Sequence, residues 1–219
     1  MGWWRRRRSK QPPPEPQGPE PETHGSPAFE ALTGWLETVP KPRILDLGSA
    51  AGPNLDYFAG LSARLQVVNL FDALEEIPGG PARREQAAED VFREVLPAVD
   101  VGGYDAVLVW DLLNYLSRRQ MRALGAHLGQ LTRPGGRLLT LVSNLPRVPD
   151  HPATFRIVDG STLAYSGQSE PSRSNPRWPP GEVQKAFGDF TVERSFLLRH
   201  GIQEFLFVRT DPSPPPDAA

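Results

Sequence analysis

Short apolar runs alternate along the chain with segments whose apolar residues recur every three or four positions. Phe29, Leu32, Leu36 and Val39 fall at helical spacing and predict an amphipathic helix that stops at Pro40. Residues 43–48 (RILDLG) read as a buried strand closing on glycine. Residues 53–58 read as a helix opened by Pro53, since proline suits a first helical turn. Residues 65–70 predict a second strand and residues 90–96 a helix. The nearly all-apolar run Tyr104–Trp110 predicts a strand buried on both faces. Met121, Leu124, Leu128 and Leu131 share one face of a helix over 118–131, which Pro134, Gly135 and Gly136 end, and residues 137–143 supply another buried strand. Strands and helices alternating at this pitch predict an α/β fold, a doubly wound and mostly parallel sheet between two helical layers. Residues 181–187 suggest a short helix. The runs 191–198 and 202–209, joined through His200 and Gly201, predict a terminal antiparallel hairpin.

Composition changes this picture at the ends and in one interior stretch. The 219 residues suffice for one packed domain. The 25 prolines, roughly twice average usage, concentrate in residues 1–28, 146–180 and 212–216. Residues 1–27 and 210–219 are therefore expected to be disordered tails around a domain at 28–209. Residues 144–180 are expected to be an irregular loop, with one short strand at 155–158, able to act as a lid. Trp3, Trp4 and Arg5 to Arg8 carry the aromatic and basic character of a surface anchor, but QPPPEPQGPEPE follows where an export signal has its apolar stretch. A solvated tail is the simpler reading.

A net charge of -2 gives no broad electrostatic reason to bind nucleic acid. The absence of cysteine excludes disulfides, thiolate metal sites and thiol catalysis. No apolar run is long enough to span a bilayer, and the expected location is cytoplasmic.

The chemistry concentrates at Asp46-Leu47-Gly48-Ser49-Ala50-Ala51-Gly52, which links a predicted strand to a predicted helix, where doubly wound sheets bind nucleotide-like ligands. Gly48 and Gly52 permit close backbone approach. Asp46, two residues before the first glycine, and the failure of the G-x-G-x-x-G spacing separate this turn from a nicotinamide-binding loop.

ILDLGSAAG resembles the first motif of the class I S-adenosylmethionine-dependent methyltransferases, with Ala50 in place of the central glycine. The resemblance extends through YDAVLVWDLLNYL, TRPGGRLLTLVS and the closing hairpin. It implies S-adenosylmethionine as cofactor, held by Asp46, Gly48, Ser49, Ala50, Gly52 and Asp111. It also implies an acid at the end of the second strand for the ribose hydroxyls. Asn69 stands there instead, with Asp72 three residues on, and either could serve. Residues 75–103 contain no β run, so the sheet is expected to lack the family's third strand.

Asp111, at the end of the fourth strand, reads equally as a group facing the methionine end or the acceptor and as a helix N-cap. His151 is the one histidine placed to act as a base; His24, His127 and His200 read as surface residues. No histidine pair with a carboxylate has metal-ligand spacing. Arg147, Arg156, Arg173 and Arg177 could receive an acidic acceptor, or simply be solvated. Two functions remain open at this stage: a methyltransferase for a small-molecule or protein acceptor, and a non-catalytic scaffold on the same fold. A nicotinamide oxidoreductase shares the sheet but not the loop spacing.

Overall fold

The computed structural model describes residues 22–98, 103–166 and 173–210. Its centre is a mixed six-stranded sheet. β2 (Arg43–Asp46), β3 (Arg64–Val67), β4 (Tyr104–Trp110) and β5 (Thr132–Ser143) run parallel; β10 (Phe190–Leu197) and β11 (Ile202–Arg209) are antiparallel. The spatial order is β10-β11-β5-β4-β2-β3. All seven residues of β4 are buried, and their alternation divides the core. Val107 and Val109 pack into one layer with Phe92, Leu124 and Phe187; Ala106 and Leu108 pack into the other with Phe29, Leu32 and Phe58. A side chain such as Leu108, fully shut from water, contributes about 1.5–3 kcal/mol through burial.

The first layer holds α3 (Leu70–Glu75), α4 (Gly80–Val95) and α5 (Arg118–Leu131), with α6 (Pro180–Ala186) against α5. Ser117 and Gln120 close a reciprocal capping box at the start of α5. Gly125 lets α6 approach: a Cβ there would lie 2.0 Å from the Ala186 carbonyl oxygen. The second layer holds α1 (Pro27–Leu36) and α2 (Gly52–Gly60). Ser26 caps α1 by accepting from the Phe29 amide, and the buried Glu204 of β11 accepts from the Ala28 amide at 3.0 Å.

Several expectations need correction. Residues 22–27 are not part of a tail: Glu22–Gly25 forms β1, which pairs antiparallel with β8 (Thr162–Ser166), Ser26 caps α1 and Pro27 opens it. The rest of the expected N-terminal tail, and residues 211–219, lie outside the described residues. Residues 144–180 are not an irregular loop. β7 (Thr154–Ile157) pairs with β8, giving a second sheet of order β1-β8-β7, and β6 (Arg147–Val148) pairs with β9 (Arg173–Ser174). The second strand of the main sheet stops at Val67, and Asn69 caps a helix, α3, that the sequence pattern did not signal. α4 begins ten residues earlier than expected. Among the described residues no strand lies between β3 and β4, so β3 is an edge.

Candidate functional site

The turn after β2 is shaped by one carboxylate. Asp46 Oδ1 accepts from the Gly48 amide at 2.9 Å and from the Trp110 indole Nε1 at 2.6 Å. Burial pushes the Asp46 carboxyl up to about 6, and these hydrogen bonds, with one from Asn54, hold it back. Trp110 sits at φ 52°, a left-handed conformation uncommon for a bulky residue. Its ring lies directly over the turn: a Cβ on Gly48 would stand 2.7 Å from Trp110 Cδ1. The indole also stacks on Phe155 of β7, with centroids 5.0 Å apart and planes 6° from parallel. Asn54, in the first turn of α2, donates to the Phe155 carbonyl and accepts from the Ile157 amide, 3.0 and 2.8 Å. The second sheet is thus fastened to the turn by a stacked ring pair and a bridging amide.

At the carboxyl edge of the main sheet, Gly48, Ser49, Asn69, Asp72, Asp111 and His151 line a cavity of about 50 Å³. The structure brings these six expected site residues together. Asp46 lies beneath, committed to the turn, while Ala50 and Gly52 are exposed and outside the cavity lining. Asn69 does not end a strand. Its Nδ2 donates to Asp72 Oδ2 at 2.6 Å and to Ser49 Oγ at 3.4 Å, and its Oδ1 accepts from the Asp72 amide. Both of its polar atoms are therefore engaged within the protein, whereas the Asp72 side chain is exposed.

Asp111 begins a single 3-10 turn, 112–115, but its side chain makes no capping bond, so the capping reading fails. One oxygen, Oδ2, accepts from the Ala153 amide at 3.2 Å. The other, Oδ1, is sealed from solvent without a hydrogen-bond partner, although other atoms of the residue keep some exposure. Burial pushes this carboxyl up to about 7. His151 is exposed; its ring packs edge-on against Phe71 and its carbonyl accepts from the Tyr115 hydroxyl at 2.8 Å.

A second cavity, about 270 Å³, opens on the other side of Asp111 and Ala153, which line both. Its walls come from the ends of β4, β5 and β11 and from the second sheet. Arg147 lines it. Of the other loop arginines, Arg173 pairs with Glu75 and lies over the Tyr115 ring, and Arg156 is exposed on β7. His24 is not solvated: both ring nitrogens are shut from water, and the ring packs against Tyr165 and His200. Among the described residues no group of three His, Asp or Glu side chains could hold a metal ion, and no helix is long and apolar enough to cross a membrane.

Two features escaped the sequence reading. Trp110 looked like one more apolar residue in a core strand, and Asn54 like any helix residue. The only trace of either was position, Trp110 at the last place of the strand and Asn54 in the first turn after the glycines.

No protein-family model matches the chain, and no curated protein matches it. Among solved structures it is similar to S-adenosylmethionine-bound CalS10, an amino pentose methyltransferase from Micromonospora echinaspora. The two are 18% identical with a TM-score of 0.47 over 83% of this chain and 90% of that one. An S-adenosylmethionine-dependent methyltransferase from Clostridium acetobutylicum is 11% identical, with a TM-score of 0.47 over 84% and 90%. The 1,6-didemethyltoxoflavin-N1-methyltransferase of Burkholderia thailandensis is 19% identical, with a TM-score of 0.43 over 84% and 79%. At this level of identity and overlap, none of them assigns a role to a residue of this chain.

The implied cofactor can be tested against the residues present. The donor set suits its cationic and hydroxyl-bearing parts, because Ser49, Asp72 and Asp111 face one cleft with hydroxyl and carboxylate groups. The space does not suit its adenosine. About 50 Å³ holds a few water molecules, against roughly 300–1,000 Å³ for ligand pockets generally. The 151–153 segment and Trp110 are among the residues that wall the cavity in.

Proposed function

We propose that the chain is an S-adenosylmethionine-dependent methyltransferase whose cofactor cleft opens when the 151–153 segment lifts. One observation carries this reading: the strand, glycine turn and helix stand at the carboxyl edge of the sheet beside two contiguous cavities that share Asp111. Methyl transfer asks a protein chiefly to hold two reactants in line, and two adjoining cavities meeting at one polar residue suit that task. The cofactor would supply an activated methyl group. Asp46 fixes the turn, Asp72 offers its exposed carboxylate to hydroxyls, and Asp111 places a carboxyl at the junction. Calorimetry with S-adenosylhomocysteine at millimolar concentration tests the reading. Heat with saturation is expected, and its loss in Gly48→Val ties it to the turn; a flat titration of the wild type rejects it.

The Trp110 ring over Gly48 favours a second reading, a non-catalytic protein on the same fold whose turn is packed shut by its own side chain. That reading gains if the wild type shows neither heat nor thermal stabilisation with the cofactor.

A further inference from the structure

The larger cavity offers a ligand more than space. Leu141, Val148, Phe155, Tyr165 and Ile202 give it apolar and aromatic walls, and half-exposed Leu145 stands at its mouth. Its buried polar groups are almost all satisfied from within. Asn114 accepts from the Ser143 amide at 2.9 Å, and Ser143 Oγ accepts from the Leu145 amide at 3.2 Å. Asp111 is the exception, with one oxygen partnerless. A buried carboxylate without a counter-charge is costly, and the ligand group that answers it is a cationic nitrogen with hydrogens to donate. Other charged groups face the same cavity: Glu22, which accepts from the Tyr165 hydroxyl, together with Arg147 and His200. Glu22, Arg147 and His200 are all exposed, and together they favour neither charge; of the charged groups lining the cavity, Asp111 is the one with an oxygen shut from solvent.

We propose that this cavity binds a small apolar molecule bearing a primary or secondary amine, with its nitrogen at Asp111. Through Asp111 and Ala153 that nitrogen would sit at the boundary of the glycine-turn cleft. The amine is therefore the acceptor class of the proposed methyltransferase: once Asp111 has taken a proton from the ammonium, the nitrogen lone pair would form the N–C bond as the sulfonium S–C bond breaks, leaving S-adenosylhomocysteine and a methylated ammonium. This acceptor role alone rests on that reading, since amine binding needs no cofactor.

The test uses the full chain, with thermal shift and calorimetry, and three matched probes: 2-phenylethylamine, 2-phenylethanol and 3-phenylpropanoate. The amine should bind at least about tenfold more tightly than the alcohol, a ratio that single buried charged hydrogen bonds support. Asp111→Asn should erase that preference while leaving alcohol binding in place. In the wild type, amine binding should strengthen as pH rises through 7 and alcohol binding should not, a measurement that serves if the variant fails to fold. Tighter binding of 3-phenylpropanoate, a preference that survives Asp111→Asn, or no amine binding would overturn the proposal. Amine binding without any response to S-adenosylhomocysteine keeps the cavity assignment and removes the methyl-transfer reading; the converse removes the amine alone.

Discussion

Trp110→Phe isolates what one hydrogen bond does at the glycine turn. The substitution keeps an aromatic ring available to stack on Phe155 but deletes the Nε1 donor that reaches Asp46 Oδ1 at 2.6 Å. Two losses follow, and they differ in how they respond to pH. The smaller ring loses packing, about 1 kcal/mol at any pH. The lost hydrogen bond depends on the charge of Asp46, whose carboxyl sits at about 6 in the folded protein. At pH 8 the group is ionised and loses a bond worth roughly 1.5–3 kcal/mol; at pH 5 it is protonated, and the loss is nearer 1 kcal/mol.

The variant should therefore be less stable than wild type by about 3 kcal/mol at pH 8 and about 2 kcal/mol at pH 5. For a chain of 219 residues each kcal/mol moves Tm by about 2–4 °C. The Tm difference between variant and wild type should thus be some 2–4 °C larger at pH 8. The sign follows from linkage. A carboxyl raised above its unfolded value makes the wild type lose stability as pH rises from about 4 through 6, and deleting a donor to the ionised form steepens that loss. Scanning fluorimetry from pH 5 to 8 reads it. Equal depressions at the two pH values, or a larger one at pH 5, would show that the indole donor does not hold the carboxylate and would refute the account of the turn.

Gly48→Ala should lower stability by about 1–3 kcal/mol, because the new methyl meets Trp110 Cδ1 at 2.7 Å; chemical denaturation measures it, and pairing it with Trp110→Phe should recover part of the loss. Glu204→Gln keeps an acceptor for the Ala28 amide and removes a charge whose carboxyl burial holds above its ordinary range. Its Tm should match or exceed wild type at pH 8, and its pH profile should be flatter. Asn69→Asp installs the acid of the methyltransferase pattern but places it against Asp72, where Asn69 now donates at 2.6 Å. It should destabilise by roughly 1 kcal/mol through like-charge repulsion, and Asp72→Asn in the same chain should restore the loss.

The elements legible in the sequence are those whose apolar pattern is long. The α5 span coincides with its four-residue apolar stripe, and β4 with its unbroken run. The hairpin of β10 and β11 followed from two eight-residue β runs around Gly201. What was not legible is short or non-local. β7 was marked in the sequence, at 155–158, but its partners were not: β8 has five residues and β1 four. β1 finds its partner some 140 positions away, so prolines dominated the local reading of both segments. α4 was half seen because its first turns, ARREQAAED, bury only Ala88 and leave little periodicity to detect. At the site, residue types and their convergence were readable from the glycine turn and strand order. The state of each was not: whether Asn69 ends a strand or caps a helix depends on where β3 stops, at Val67, three residues short of the β-rich run 65–70.

The strength of the closure decides what an absent or weak cofactor signal would mean. The 151–153 segment is held over the cleft by the Ala153 amide on Asp111, the Tyr115 hydroxyl on the His151 carbonyl, and the ring contact of His151 with Phe71. At about 1 kcal/mol for each hydrogen bond and about 1 kcal/mol for the ring pair, lifting the segment costs about 3 kcal/mol. That leaves on the order of 1% of molecules open, and apparent affinity falls roughly a hundredfold below that of the open form. A cleft of micromolar intrinsic affinity would then read as about 0.1 mM, still visible at millimolar ligand. If the Trp110 ring must also leave Gly48, its charged hydrogen bond adds roughly 1.5–3 kcal/mol, and the apparent value passes beyond a millimolar titration; that is the turn packed shut by its own side chain, the reading that replaces the methyltransferase when the titration is flat. Tyr115→Phe separates the two cases. It loosens only the segment, so it should strengthen cofactor binding several-fold where the segment is the barrier and leave it undetectable where the indole is.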